Sequence, residues 1–293
     1  MALTPYQRIS YRFFGRFVRK SANKNDRLGI SLQKSRINVI PEVYLSYALM
    51  SSVISFAISF LLAVIIAAFF MTGRFQVGSM TWILLVMMPF FVAAATHAFM
   101  KIKPDMKARG RAKDIDAKLP YALNYISAMA AAGTNPDVIF DTLSRQKTYG
   151  QVAEESAWIH RDMAILGKDI LTTINTAITR TPSIKFQDFL QGAATTISSG
   201  GDLKDYFMAK SEQFMLDNRQ AQESFLETLG ILAESFVTVA VAAPIFLLIM
   251  VSVLPLLSGG GSPFTLAYLI IFIMLPVSHG VFALAIKWIS PEV

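Results

Sequence analysis

Four stretches of the chain stay apolar for longer than a buried core helix needs. The first covers residues 43–71 and contains no charged side chain; the second covers 79–100, with His97 as its one ionisable group. The third covers 231–257, with Glu234 near its start, and the fourth covers 264–286, with His279 well along it. A helix of about 20 residues crosses a hydrocarbon core about 30 Å thick, so each run is long enough to span a membrane. The first run begins behind a long basic segment and is too long for the apolar core of a signal peptide, so it reads as a retained span. The gaps at 72–78, with Gly73 and Gly78, and at 258–263, with the sequence SGGGSP, read as tight turns. They pair the four spans into two hairpins.

Between the hairpins the pattern changes to helical spacing without sustained alternation. A helix over 114–132 places Leu119, Ala122, Leu123, Ile126, Met129 and Ala130 on one face and stops at Gly133. Asn135 as N-cap and Pro136 in the first turn start a second, to about Ser144. A third covers 151–166 (Val152, Ile159, Met163 and Leu166 inward) and a fourth 168–179 (Ile170, Leu171, Ile174, Ala177 and Ile178 inward). A fifth covers 183–198, with Phe186, Phe189, Leu190, Ala193, Ala194 and Ile197 as its stripe, and ends at Gly200-Gly201. Asp202 caps a sixth, and no stop signal follows before the third apolar run. A helix continuous over 202–257 would be ~80 Å long and would carry movement of the bundle into the membrane. The expected class is an all-α membrane protein: four transmembrane helices in two hairpins flanking a cytoplasmic bundle of about six helices. Its segments are a basic amphipathic stretch (1–42), hairpin 1 (43–100), the helical domain (101–230) and hairpin 2 (231–288).

Composition agrees: 54% of residues are hydrophobic, 16% are charged, and the mean hydropathy is +0.47. Soluble domains carry about a quarter charged residues, so an ordinary soluble enzyme is a poor fit. The net charge of +7 is local. Residues 1–42 carry nine Lys and Arg against Asp26 and Glu42, and 101–230 balance at sixteen of each sign. Seven more bases lie in 101–118, only Arg74 lies in the turns, and Lys287 follows the fourth run. By the positive-inside rule the N-terminus, the central domain and the C-terminus face the cytoplasm of a cell-membrane protein, with the hairpin tips outside. The same bases can sit against anionic lipid headgroups, and the aromatic- and arginine-rich segment 11–19 reads as an interfacial amphipathic helix. Nucleic acid is therefore not an expected partner, despite a pI of about 9.5.

No catalytic, cofactor-binding or metal-binding constellation emerges. There is no Cys, and His97, His160 and His279 lie in different segments without ligand spacing. Gly167-Lys168 is no P-loop, because Asp162 and Asp169 occupy its required Gly and Ser/Thr positions. Glu234 and His279 are the intramembrane polar candidates; pairing or interfacial snorkelling accounts for them structurally, and a site for them functionally.

One stretch is specific. Residues 181–207, with Phe189-Leu-Gln-Gly192 and Thr196-Ile-Ser-Ser-Gly-Gly-Asp-Leu-Lys-Asp-Tyr-Phe207, resemble the core of the type II secretion F family in its archaeal form. Lys118-Leu-Pro-Tyr-Ala-Leu123 and the Gly133-Thr-Asn-Pro136 turn fit the same family, and the likeness covers about 114–257. Archaellum platform proteins carry two such cytoplasmic domains and this chain carries one, which points to a single-domain member similar to those of tight-adherence pili, or to a split protein. The resemblance implies a non-enzymatic platform of a type IV filament or secretion machine. Its expected partners are a hexameric secretion ATPase, pilin-like subunits, a second platform subunit (the same chain or a different one) and membrane lipids. Candidate partner contacts are Lys107, Arg109, Arg111 and Lys113, and the turn Gly200, Gly201, Asp202 and Lys204. A membrane flank explains the first group, and a C-cap followed by an N-cap explains the second, without a partner. The alternative is a small polytopic transporter or membrane sensor that uses Glu234 or His279.

Overall fold

The structure, a computed structural model, describes residues 5–22, 26–72, 79–258 and 264–289. The two expected hairpin turns, Arg74 among their residues, lie almost wholly outside that set. Among the described residues the chain is helical apart from short connections, with no strand. Four helices are long and apolar enough to cross a membrane. The contacts divide the chain into two compact units, Met1–Lys210 and Ser211–Val293.

In the first unit, α1 (Pro5–Ala22) and α2 (Asp26–Lys34) precede the first span, α3 (Pro41–Thr72). Helix α4 then runs unbroken from Ser79 to Ala131. The apolar run at 79–100, the basic stretch and the first bundle helix are thus one element of 53 residues, about 80 Å long. Lys, Arg, Ala and Met make up most of residues 101–113, and Pro104, Gly110 and Pro120 do not end the helix. A proline inside a helix frees the carbonyl four residues earlier. For Pro104 that carbonyl belongs to Met100, and the hydroxyl of Tyr44 on α3 donates to it at 2.8 Å.

The bundle continues with α5 (Pro136–Arg145), α6 (Gly150–His160), α7 (Ile170–Arg180), α8 (Ile184–Ser198) and the start of α9 (Leu203–Phe236). Local caps set these boundaries. The Asp169 carboxylate accepts from Thr172 N–H and the Ser183 hydroxyl from Phe186 N–H, both at 3.0 Å. Asn135 takes the N-cap position of α5, but its side chain makes no capping bond there. The core is the expected set of stripes: Leu119, Leu123, Ile126, Ile139, Val152, Ile159, Ile174, Phe186, Phe189 and Leu190 are all at most 1% exposed. Leu166 is the exception at 55%. A π-helical turn over Arg161–Ile165 ends α6; its extra residue rotates Leu166 off the stripe, whose last buried member is Asp162.

In the second unit, the end of α9 leads through a π-helical segment, Val237–Ala242, into α10 (Ala243–Ser258). Helix α11 (Phe264–Leu269) leads through a second one, Ile270–Met274, into α12 (Leu275–Ile289). Each segment lies just before a proline, Pro244 or Pro276. The carbonyls those rings would strike, Ala240 and Phe272, fall within the widened turns, so the helices absorb the prolines without stopping. The expected continuous run from the bundle is present from Leu203 to Ser258, with this one change of pitch.

Candidate functional site

The strongest polar feature of the bundle is a buried ionic cluster, assembled from four elements far apart in sequence. Glu155 on α6 is fully buried. Its carboxylate lies 2.5 Å from Arg111 Nη2 on α4, 3.3 Å from Arg36 Nη2 after α2, and 3.6 Å from Arg180 Nε at the end of α7. Arg111 also donates to Gln151 Oε1 at 2.7 Å and to the Lys34 carbonyl. Asp162, 2% exposed, sits 2.6 Å from Arg161 and 3.4 Å from Arg180. The guanidinium groups of Arg36, Arg161 and Arg180 lie 5.1, 4.3 and 4.8 Å from the ring centroid of Trp158, within cation–π range. Arg36 adopts φ +53°, a left-handed conformation costly for a side-chain-bearing residue. Its ion pairs with Glu154 (2.5 Å) and Glu155 hold it there.

The charges feel this environment. Burial, chiefly, pulls the Arg36 guanidinium below its ordinary pKa; Glu155 and Glu154 oppose it, while Arg111 and Arg180 add repulsion. For Asp162 burial opposes the charge, but the hydrogen bond from Arg161 and the charges of Arg161, Arg180 and Lys168 outweigh it, and the carboxyl is held below the usual range. Asp114 follows the same logic: the Lys118 hydrogen bond and the Gln151 N–H overcome burial. The cluster ties α2, α4, α6 and α7 together, and its chemistry is structural. Periodicity gave one sign of it, for Glu155 falls on the buried face with Val152, Ser156 and Ile159. Its arginine partners had no local signature.

The expected contact residues separate. Arg111 belongs to the cluster and is 7% exposed, so its guanidinium is not on the surface. Lys107, Arg109 and Lys113 lie on the exposed side of the same helix. Arg109 joins Arg27 and Lys34 around a groove of about 450 Å³ where α2 meets α4, with Asp105 the one carboxylate lining it among the described residues.

The glycine turn lies at the edge of an open cleft of about 520 Å³. Its floor is Ala130, Ile139, Ile170, Ile197, Leu203 and Phe207; its rim is Gly133, Thr134, Pro136, Gly200, Gly201, Asp202 and Lys204. Gly200 takes φ +71°, and Gly201 N–H reaches the Thr196 carbonyl while Gly200 N–H reaches that of Ile197, a Schellman ending for α8. The Asp202 carboxylate accepts from Lys204 N–H at 2.8 Å and opens α9. Beneath the turn, Phe189 stacks on Tyr206 at 5.9 Å and packs at a tilt against Phe207 at 5.5 Å, and the Tyr206 hydroxyl donates to the Phe189 carbonyl at 2.7 Å. Burial, with the nearby Asp188 charge, pushes the Tyr206 phenol up to about 12. The ring passes over Gly192, where a Cβ would lie 2.7 Å from its Cζ. The Phe-Leu-Gln-Gly and Gly-Gly-Asp signatures therefore meet in one aromatic-backed corner.

The intramembrane candidates do not converge. Glu234 on α9 is exposed. His279 lines an apolar groove of about 560 Å³, with Phe236 edge-on at 5.3 Å, and its Nδ1 lies 2.8 Å from the Leu275 carbonyl. His160 bridges Asp137 at 3.0 Å and Asp141 at 3.6 Å, a tie between α5 and α6. Among the described residues no three His, Asp or Glu side chains are grouped to hold a metal.

The fold defines an all-α, multi-pass membrane protein that carries a helical domain between its apolar hairpins. Residues 122–251 match the family model of type II secretion system protein F, so this part of the chain is similar to that family's domain. It is 31% identical over 150 residues to an uncharacterised protein of Methanocaldococcus jannaschii, across 51% of this chain and 25% of that protein. It is 23% identical over 192 residues to flagella accessory protein J of Methanococcus voltae, across 64% of this chain and 34% of that protein. The aligned part thus spans a quarter to a third of these longer relatives. No solved structure matches the chain.

Proposed function

We propose that the chain is an integral platform of a type IV filament or type II secretion-like machine, coupling a cytosolic secretion ATPase to the movement of pilin-like subunits. The observation that carries this reading is a protein F domain laid over the bundle of a chain with four span-length apolar helices. The relative named flagella accessory protein J supports the filament side of it. In this reading the N-terminus, the bundle and the C-terminus are cytoplasmic, as the Lys and Arg distribution favours. The cleft edged by Gly200, Gly201, Asp202 and Lys204 receives the ATPase, with Lys107, Arg109 and Lys113 as a second contact nearer the membrane. The helical run from Leu203 to Ser258 transmits the resulting motion, and a second platform subunit completes the assembly.

The test is affinity purification of the full-length protein in detergent with a secretion ATPase of the same organism. Co-elution that Lys204→Glu abolishes supports the reading. Absence of the ATPase from the wild-type eluate, together with normal filaments in a deletion strain, refutes it.

A further inference from the structure

Helix α1 does not stand apart from the membrane helices. It packs antiparallel on the start of α3: Tyr11 hydroxyl donates to Glu42 at 3.2 Å, Val18 buries against Leu45, and Tyr6 meets Tyr47 edge-on at 5.5 Å. At the far end Tyr6 Oη lies 3.4 Å from Ser51 Oγ. The opposite face of α1 carries Arg8, Arg12, Arg16 and Arg19, spaced four, four and three residues apart and all exposed. Such spacing aligns them within about a quarter of the helix circumference. Among the described residues none of the four pairs with a carboxylate. Beside the row, Ile9 and Phe13 are exposed at 49% and 70%. An unpaired cationic row next to exposed apolar side chains suits the boundary between headgroups and hydrocarbon.

A groove of about 430 Å³ begins under Tyr6 and runs between α3 and α4, walled by Ile54, Ile58, Leu62, Met88 and Val92. From Ser51 to Leu62 it descends roughly 16 Å at 1.5 Å per residue. That is about half of a hydrocarbon core near 30 Å thick, the depth of one leaflet. Arg8 and Arg12, on the far face of α1, are the row members closest to Tyr6 along the helix, two and six residues from it, so long guanidinium side chains start within one to two turns of the groove's mouth.

We propose that these features form a binding site for one anionic phospholipid of the cytoplasmic leaflet. The acyl chain lies in the groove, the Tyr6 and Ser51 hydroxyls sit at the glycerol level, and Arg8 and Arg12 pair with the phosphate-bearing headgroup. The row is then more than a topology signal, because it selects the headgroup as well as the side of the membrane.

The experiment is native mass spectrometry of the full-length protein in detergent, titrated with equal amounts of phosphatidylglycerol and phosphatidylcholine of the same chain length. The wild type should retain phosphatidylglycerol first, with a preference of roughly tenfold or more from two near-surface arginines. Arg8→Gln with Arg12→Gln should bring the preference close to one while lipid still binds, and Arg8→Lys with Arg12→Lys should keep most of it. Ile58→Trp, which fills the groove, should lower binding of both lipids; thermal unfolding in the same detergent checks that each variant is folded. Equal retention of the two lipids by the wild type overturns the proposal. So does an undiminished preference in the folded double glutamine variant.

Discussion

Glu155→Gln keeps the shape of the side chain and removes the one negative charge shared by Arg36, Arg111 and Arg180. The nearest nitrogens lie 3.3, 2.5 and 3.6 Å from its oxygens. One such attraction across about 4 Å is worth ~4 kcal/mol at an effective dielectric of about 20. Most of the sum offsets the desolvation of four buried ions and the repulsion among three guanidinium groups, so the attractions do not add as net stability. Removing one partner of a buried pair typically costs about 3–5 kcal/mol, because the remaining charge stays buried. Against a domain stability of about 5–15 kcal/mol that is a large fraction. It corresponds to a drop of roughly 10 °C in the unfolding midpoint for a chain of this size. Trp158 reports the event, since Arg36, Arg161 and Arg180 all stack against its ring. In a Trp82→Phe/Trp288→Phe background its fluorescence alone follows thermal unfolding of the full-length protein in detergent. Replacing Arg111 and Glu155 together by Met leaves Arg36 with Glu154 and Arg180 with Asp162. That variant should unfold above Glu155→Gln, since apolar replacement of a buried pair is often neutral or stabilising. A midpoint for Glu155→Gln within about 1 °C of wild type would show that the cluster carries no net interaction, and the reasoning would fail.

Gly192→Ala should cost about 1–3 kcal/mol, because its Cβ must displace the Tyr206 ring; loss of cleft-dependent ATPase capture alongside a lower midpoint checks it. Gly200→Ala should cost about 1 kcal/mol through the left-handed backbone at φ +71°, and equal midpoints for the two proteins would contradict it. Tyr44→Phe leaves the Met100 carbonyl, freed by Pro104, without its donor, so a loss of about 1 kcal/mol is expected in detergent unfolding. Asp114 and Asp162 have folded pKa values below their unfolded ones, so their contribution is complete above about pH 4 and is lost as pH falls through the lower folded values. A midpoint that holds from pH 7 to 5 and falls below 4 is the expected profile, and one unchanged down to pH 3 would rule the depressed values out. The Tyr206 phenol, raised to about 12, should stay neutral in an ultraviolet titration past the pH at which exposed tyrosines ionise.

Much of this protein is decided by interactions within a few residues along the chain, and those are legible in the sequence. Span length, the stripes at three- and four-residue spacing, the cap at Asp202 and the Gly200-Gly201 ending each depend on neighbours at most six positions away; the caps at Asp169 and Ser183 are equally local, though the cap expected from the pattern is Asn135, which makes no capping bond. The same locality explains the misjudged places. The break expected between the second span and the bundle is absent, because a helix continues unless something stops it and Pro104 alone does not. The rotation of Leu166 out of the core comes from a π-helical turn that periodicity counted at 3.6 residues cannot anticipate. Arg111 looked like one of a row of surface bases, yet its position on α4 beside Ala108 and Ile115 turns it inward. What only the tertiary structure decided is which distant charges meet. Arg36 and Glu154 are 118 positions apart and Arg111 and Glu155 are 44, and their choice of partner follows from how α2, α4, α6 and α7 pack. Low dielectric then makes that choice matter: in water these charges would be indifferent to one another, but buried together they must be paired. The seating of Tyr6 of α1 over the groove between α3 and α4 was decided in the same way. The amphipathic helix was readable as a pattern, and the depth and place of the groove beneath Tyr6 required the packed spans.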